Sequence, residues 1–132
     1  MKRQPSQVGL LLLDIDHFKQ INDSHGHSRG DEVLRRIGKL LRELTREIDT
    51  VARVGGEEFA ILLPGIDEQG AVTAAERIRK KVQSHQWKHG AVTMSIGVTV
   101  LKDGDDRERV LNRVDRALYQ AKRNGRNRIE HA

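Results

Sequence analysis

Two short segments bring together side chains whose types and spacing can do chemistry. In "LLLLDIDHFKQIND" (10–23) an apolar run ends in Asp14-Ile15-Asp16, and a helix start carrying Lys19 follows at once. Strand alternation sends Asp14 and Asp16 to one side and Ile15 to the other. The first turn of a helix leaves N–H groups free and carries positive potential, which suits a phosphate. A carboxylate at a strand end beside such a cradle is what Mg2+ needs. That ion prefers one or two carboxylates plus phosphate oxygens to an all-protein cage. A simpler reading makes Asp16 the helix cap and Asp14 a solvated strand-end residue.

The second segment, "RVGGEEFAILLPG" (53–65), sets Glu57 and Glu58 hard against one of the most apolar runs of the chain. Carboxylates lose heavily on leaving water unless a cation or a donor meets them. Gly55 and Gly56 lack Cβ atoms, so a hairpin here can adopt positive φ and let a ligand come close. Glu57 then faces Asp14 across neighbouring strands, with one or two divalent cations between them. Without a metal, Arg53 is the basic neighbour able to pair with Glu57 or Glu58.

Positioning these groups falls to an alternation of strands and helices. Residues 8–15 are apolar without alternation, the pattern of a strand buried on both faces. A short helix is expected from 17 to about 24, after which Gly26 and Gly30 break the chain. The next helix carries Val33, Leu34, Ile37, Leu40, Leu41, Leu44 and Ile48 at a 3.6-residue period. "TVARV" (50–54) and "EEFAILLP" (57–64) read as a hairpin closed by Gly55-Gly56. Ala71, Val72, Ala75, Ile78 and Val82 mark a third helix, capped by Asp67. "AVTMSIGVTVL" (91–101) alternates and is rich in β-branched residues, hence a strand. Val110, Leu111, Val114, Ala117, Leu118 and Ala121 form a last helix ended by Asn124-Gly125, with an edge strand at Arg128-Ile129. This order predicts an α+β class, ferredoxin-like, in which helices cover a largely antiparallel sheet.

Composition narrows the partners. A chain of 132 residues with net charge +5 is one domain with a real core and a preference for anions. Aromatic residues are only 3%, which argues against single-stranded nucleic acid, where bases stack on rings. No run reaches the ~18 apolar residues of a membrane span, and Met1-Lys2-Arg3 precedes no secretory signal. The absence of cysteine excludes disulfides and thiolate metal sites, and fits a reducing cytosol. His25 and His27 find no third ligand at zinc spacing, so a turn-stabilising role is expected. "KRNGRNR" (122–128) sits at a helix end where cations counter the dipole, which outweighs a nucleic-acid patch. Trp87 and Tyr119 read as packing residues.

Taken together, "DIDHFKQIND" (14–23), "GHSRGD" (26–31), "GGEEF" (55–59), "SIGV" (95–98) and "ALYQAKRNGRN" (117–127) resemble the successive signatures of the GGDEF family. These are the diguanylate cyclases, which make cyclic di-GMP from two GTP. The match runs from Val8 to Ile129, with the motifs in the family's order. It implies a nucleotide-cyclase-type α+β fold and a single catalytic domain over residues 1–132. Because only Met1 to Gln7 precede the first strand, the resemblance leads us to expect a catalytic domain without the family's usual N-terminal segment, which carries an Asp-x-Leu-Thr-Gly-Leu-x-Asn-Arg signature, and without a sensory domain.

The resemblance also implies roles for matching residues. Asp14, the Ile15 carbonyl and Glu57 would hold Mg2+ or Mn2+, and Glu57 would help deprotonate the attacking 3′-hydroxyl. Phe18 and Lys19 lie in the phosphate cradle, Lys122 and Arg126 reach the terminal phosphates, and Asn22 and Asp31 read guanine. Glu58 and Lys19 complete the catalytic set. "REID" (46–49) has the spacing before GGEEF of the family's product-inhibition site, with Arg46 and Asp49 joined by Arg77. As a bare motif, it is an ordinary surface ion pair. One active face carries one GTP, so catalysis needs a homodimer. The implied setting is cytoplasmic, with a full-length protein that could be membrane-anchored and carries a sensory domain. The competing reading is a catalytically silent receptor for cyclic di-GMP or GTP. Degenerate members usually lose the signature's metal-binding acid, whereas Asp14, Glu57 and Glu58 are intact here.

Overall fold

Strand β1 (Val8–Ile15) owes its unbroken apolar run to cover on both faces. Leu11, Leu13 and Ile15 enter a core shared with α2 (His27–Leu44) and α3 (Glu68–Ser84). Leu10 and Leu12 point the other way, onto Val110, Val114 and Leu118 of α4 (Arg107–Arg123). Each of those three α4 side chains contributes about 1.5–3 kcal/mol of burial, enough to clamp the helix to the sheet. The computed structural model describes residues 7–132, so the reading of Met1-Lys2-Arg3 lies outside the described residues, as do the side chains of His25 and His27.

The sheet has the order β2-β3-β1-β4-β5, with β2 at Thr50–Arg53, β3 at Glu58–Pro64, β4 at Met94–Val100 and β5 at Arg128–His131. All neighbours are antiparallel except β4 and β5, which are parallel and joined across the face by α4. The expected α+β sheet, mostly antiparallel and covered by helices, is the observed one. Helix α1 (Phe18–His25) packs beside α2, with Phe18 and Ile21 against the larger core.

Strand β4 shows how the two faces differ. Met94, Ile96, Val98 and Val100 fill the α2–α3 side, while Ser95, Gly97 and Thr99 turn to α4. Gly97 lets α4 come close: an added Cβ would lie 2.5 Å from the Leu118 nitrogen and 2.6 Å from the Val114 oxygen. Helix α3 starts as expected, with the Asp67 carboxylate accepting from the Gly70 N–H at 2.8 Å.

Five local expectations are corrected. Gly26, at φ 82, separates α1 from α2, whereas Gly30 lies inside α2, where an added Cβ would fall 1.8 Å from the Asn22 Oδ1. Helix α2 ends at Leu44, because Thr45 turns extended and a tight Arg46–Asp49 turn follows, which leaves Ile48 64% exposed. The β2–β3 connection is wider than Gly-Gly and spans 54–57, and neither glycine adopts positive φ. What Gly56 offers is space: an added Cβ there meets nothing within 4 Å. Arg53 does not pair with either glutamate; its guanidinium donates to the Gly55 and Gly56 carbonyls and holds the loop open. Finally, Tyr119 is 58% exposed, whereas Trp87 does pack and donates to the Val82 carbonyl at 2.9 Å. No helix among the described residues is long and apolar enough to cross a membrane.

Candidate active site

Asp14 ends the buried strand with only 4% of its surface exposed, on the face covered by α4. The β1–β3 register sets Glu58 directly opposite it. Glu57 stands one residue earlier, and its carbonyl accepts the Ile15 N–H at 3.2 Å. The expected Glu57–Asp14 pairing across strands is therefore displaced by one position, which in a sheet exchanges faces. The cation that meets these carboxylates is Lys122. One turn past Leu118 on α4, its ammonium donates to the Asp14 Oδ2.

Burial pushes the Asp14 carboxyl above its ordinary value, against the opposing pull of Lys122. Glu58 is raised as well, first by burial and then by the Asp14 charge opposite. Two carboxylates this close in low-polarity surroundings call for more positive charge than one lysine supplies.

The chain then turns sharply. The Asp16 N–H donates to the Thr93 carbonyl at 2.9 Å, and His17 takes a left-handed conformation (φ 57) as the N-cap of α1, without a side-chain cap. The Asp16 carboxylate is not the helix cap. Its oxygens accept from the Thr93 and Ser95 hydroxyls at 2.7 and 2.6 Å and from the Asn127 N–H at 2.9 Å. With Asp16 turned inward, the first-turn N–H groups of α1 face outward from the strand end.

One cleft collects most of the expected site. Asp14, Ile15 and Glu57 line it together with Phe18, Lys19, Lys122 and Arg126. Asn22 and Asp31 fall outside that lining: Asn22 is half-buried against Gly30, and Asp31 is exposed just past the first turn of α2. Glu58 borders the cleft through Asp14. The donor set at its acidic end is all hard oxygen, which suits Mg2+ or Mn2+. Among the described residues no three His, Asp or Glu side chains cluster as a metal cage. An ion held here would draw its remaining ligands from phosphate and water.

A second constellation lies away from this cleft. The Arg46 guanidinium grips Asp49 through Nε at 3.1 Å and Nη2 at 2.7 Å, and Nη2 also reaches the Pro64 carbonyl at 2.8 Å. Arg77, from α3, donates to the Leu44 carbonyl at 3.0 Å. The three side chains share a hollow floored by Leu63, Ile66, Ala74 and Ile78. Burial would raise the Asp49 carboxyl, but the Arg46 hydrogen bonds more than offset it and hold it below the usual range.

Sequence reasoning missed the residues that hold the site: Thr93, Ser95, Asn127 and Arg79. The only available signal was two small hydroxyl residues at period 2 where the fourth strand begins, alternating with large apolar side chains.

The family model described as "Diguanylate cyclase, GGDEF domain" matches residues 1–128. Diguanylate cyclase A of Treponema denticola is 43% identical over 127 residues, 92% of this chain and 34% of that protein. The active GGEEF domain of a diguanylate cyclase from Vibrio cholerae superposes with a TM-score of 0.89 at 39% identity, over 95% of this chain and 82% of that one. The GGDEF domain of DgcB from Caulobacter crescentus, solved in complex with c-di-GMP, gives 0.91 at 38% identity, over 96% and 78%. The chain spans about a third of the length of the curated relatives it matches.

Proposed function

This chain belongs to the GGDEF family of diguanylate cyclase domains, and we propose on that footing that it condenses two GTP into cyclic di-GMP and two pyrophosphates. The observation that carries the reading is the single cleft lined by Asp14, Glu57, Lys19, Lys122 and Arg126. It sets acidic oxygens beside a helix N-terminus and three cationic side chains, as a magnesium–triphosphate pair requires.

Asp14, the Ile15 carbonyl and Glu57 would hold Mg2+ or Mn2+, which when bound neutralises charge on the attacking and leaving oxygens. Lys122 and Arg126 bind the terminal phosphates and orient the chain of phosphates along the cleft. Phe18 and Lys19 present the free N–H groups of α1 to the same oxygens. Asn22 and Asp31 recognise guanine: one carboxylate accepts both N–H donors of its pairing edge, and adenine would set an acceptor against it. Glu57 takes the proton of the 3′-hydroxyl as it attacks the α-phosphorus. Glu58, opposite Asp14 across the β1–β3 pair, adds a further acidic oxygen donor at this end of the cleft.

One cleft serves one GTP, so two copies must face each other, and turnover rises with dimer concentration. Cyclic di-GMP returns to Arg46, Asp49 and Arg77 as an inhibitor. The guanine nucleotide pool places this work in the cytoplasm. In the full-length protein a sensory domain would supply the input. Incubation with GTP and Mg2+ should yield cyclic di-GMP, and Glu57→Gln should abolish it with an unchanged melting temperature. Nucleotide binding without turnover in concentrated, dimeric protein overturns the enzyme reading in favour of a receptor.

A further inference from the structure

The turn that carries Arg126 is conformationally expensive. After α4 the chain closes with Gly125 at φ 126, with the Arg126 N–H on the Ala121 carbonyl at 2.9 Å and the Gly125 N–H on the Lys122 carbonyl at 3.4 Å. That is a Schellman closure, and such closures need one left-handed residue. Here two more follow, Arg126 at φ 64 and Asn127 at φ 44, and neither is glycine. Left-handed backbone costs a side-chain-bearing residue roughly 1–2 kcal/mol. Something must hold the pair there.

Asp16 does so from below. Its carboxylate is 5% exposed, and one oxygen accepts the Asn127 N–H across 111 residues of sequence. The same oxygen accepts from Thr93 and the other from Ser95, which anchors the carboxylate to the start of β4. From above, Arg79 of α3 donates to the Asn127 Oδ1 at 2.9 Å and is itself held by Glu76. A buried carboxylate ringed by neutral donors is a strong acceptor in a fixed place.

We propose that Asp16 is a positioning residue for nucleotide binding: by seating the Asn127 N–H it holds the left-handed Arg126–Asn127 turn, and so aims the Arg126 guanidinium into the cleft. This rests on the reading of Arg126 as a phosphate ligand. Asp16 borders the same cleft, but the protein's own donors engage both of its carboxylate oxygens, so its part is to position and not to bind.

The test uses 3′-deoxy-GTP, which lacks the attacking hydroxyl, and 3′-deoxy-GMP, which lacks the terminal phosphates. Arg126→Ala and Asp16→Ala should each weaken the triphosphate at least about tenfold, the worth of one charged hydrogen bond, and leave the monophosphate unchanged. The double variant should bind no worse than Arg126→Ala alone, because an unaimed arginine has nothing left to lose. If Arg126→Ala leaves triphosphate affinity intact, the phosphate role of Arg126 fails. If it weakens binding but the two losses add, or Asp16→Ala weakens both nucleotides equally, the positioning role is overturned. Should Asp16→Ala not fold, the isosteric Asp16→Asn replaces it, with the same non-additivity expected at smaller size and additivity again overturning the role.

Discussion

Lys122 and Asp14 stand 108 residues apart in the chain and form a direct ion pair in the floor of the cleft. The lysine is the internal counter-ion of a buried acidic pair. Lys122→Met removes that cation and leaves Asp14 facing Glu58. Breaking a buried pair costs about 3–5 kcal/mol, but Lys122 is 35% exposed, so solvent screening lowers the expected loss to roughly 1–2 kcal/mol. Mg2+ should then raise the melting temperature of Lys122→Met more than that of the unaltered protein, because binding to the folded state stabilises it. An equal or smaller shift would show that lysine and metal do not share the acidic end.

Gly97 sets the distance between β4 and α4, the helix that delivers Lys122. A Cβ at this position would strike the Leu118 and Val114 backbone, and backbone cannot step aside as a side-chain tip can. Gly97→Ala should therefore cost about 1–3 kcal/mol or more, read as a lower urea midpoint. A midpoint equal to the unaltered protein's would mean that α4 does not lie this close.

How much of this was legible beforehand follows the range of the interactions. The double burial of β1 could be read from its lack of alternation, and β4 from its alternation and β-branched residues, because both are local patterns. Strand and helix arguments brought Asp14, Lys19 and Glu57 together, whereas Lys122 and Arg126 joined them only through motif order, since no local pattern carries a helix end to a strand over a hundred residues away. Where another partner competed with the simplest local signal, that signal lost. Asp16 precedes a helix and looks like its cap, yet hydroxyls 77 and 79 residues away claim it. Gly55-Gly56 looks like a two-residue turn, yet Arg53 holds a wider loop by its carbonyls.

Arg113 ties the far end of α4 to the sheet. It grips Asp105 with both Nη atoms, at 3.0 and 2.7 Å, and reaches the Thr99 hydroxyl and the Val100 carbonyl. The Arg113 hydrogen bond, helped by the Lys102 N–H, lowers the Asp105 carboxyl to about 2 from an ordinary 3.8. A depressed pKa contributes stability that is present above the ordinary value and fades as pH falls towards the folded one. Asp105→Asn should thus be less stable than the unaltered protein at pH 7, with the gap closing between about pH 4 and 2. Urea midpoints measured across that range decide it: a gap independent of pH would detach Asp105 from Arg113.

Arg46 is 45% exposed at its side chain while Asp49 is 2% exposed, so the arginine forms the accessible edge of the second site and the aspartate its fixed wall. A guanine or phosphate arriving there would meet a guanidinium already aligned by its partner, with little ordering left to do. Arg46→Ala should shift the inhibition curve of added cyclic di-GMP by roughly tenfold or more, the worth of a charged hydrogen bond, and leave uninhibited turnover alone. Its effect on stability should be small, because the Arg46 backbone N–H, at 2.7 Å from Asp49, survives the substitution and keeps the turn closed. An inhibition curve that does not move would reduce Arg46 and Asp49 to the ordinary surface ion pair that their spacing alone suggests.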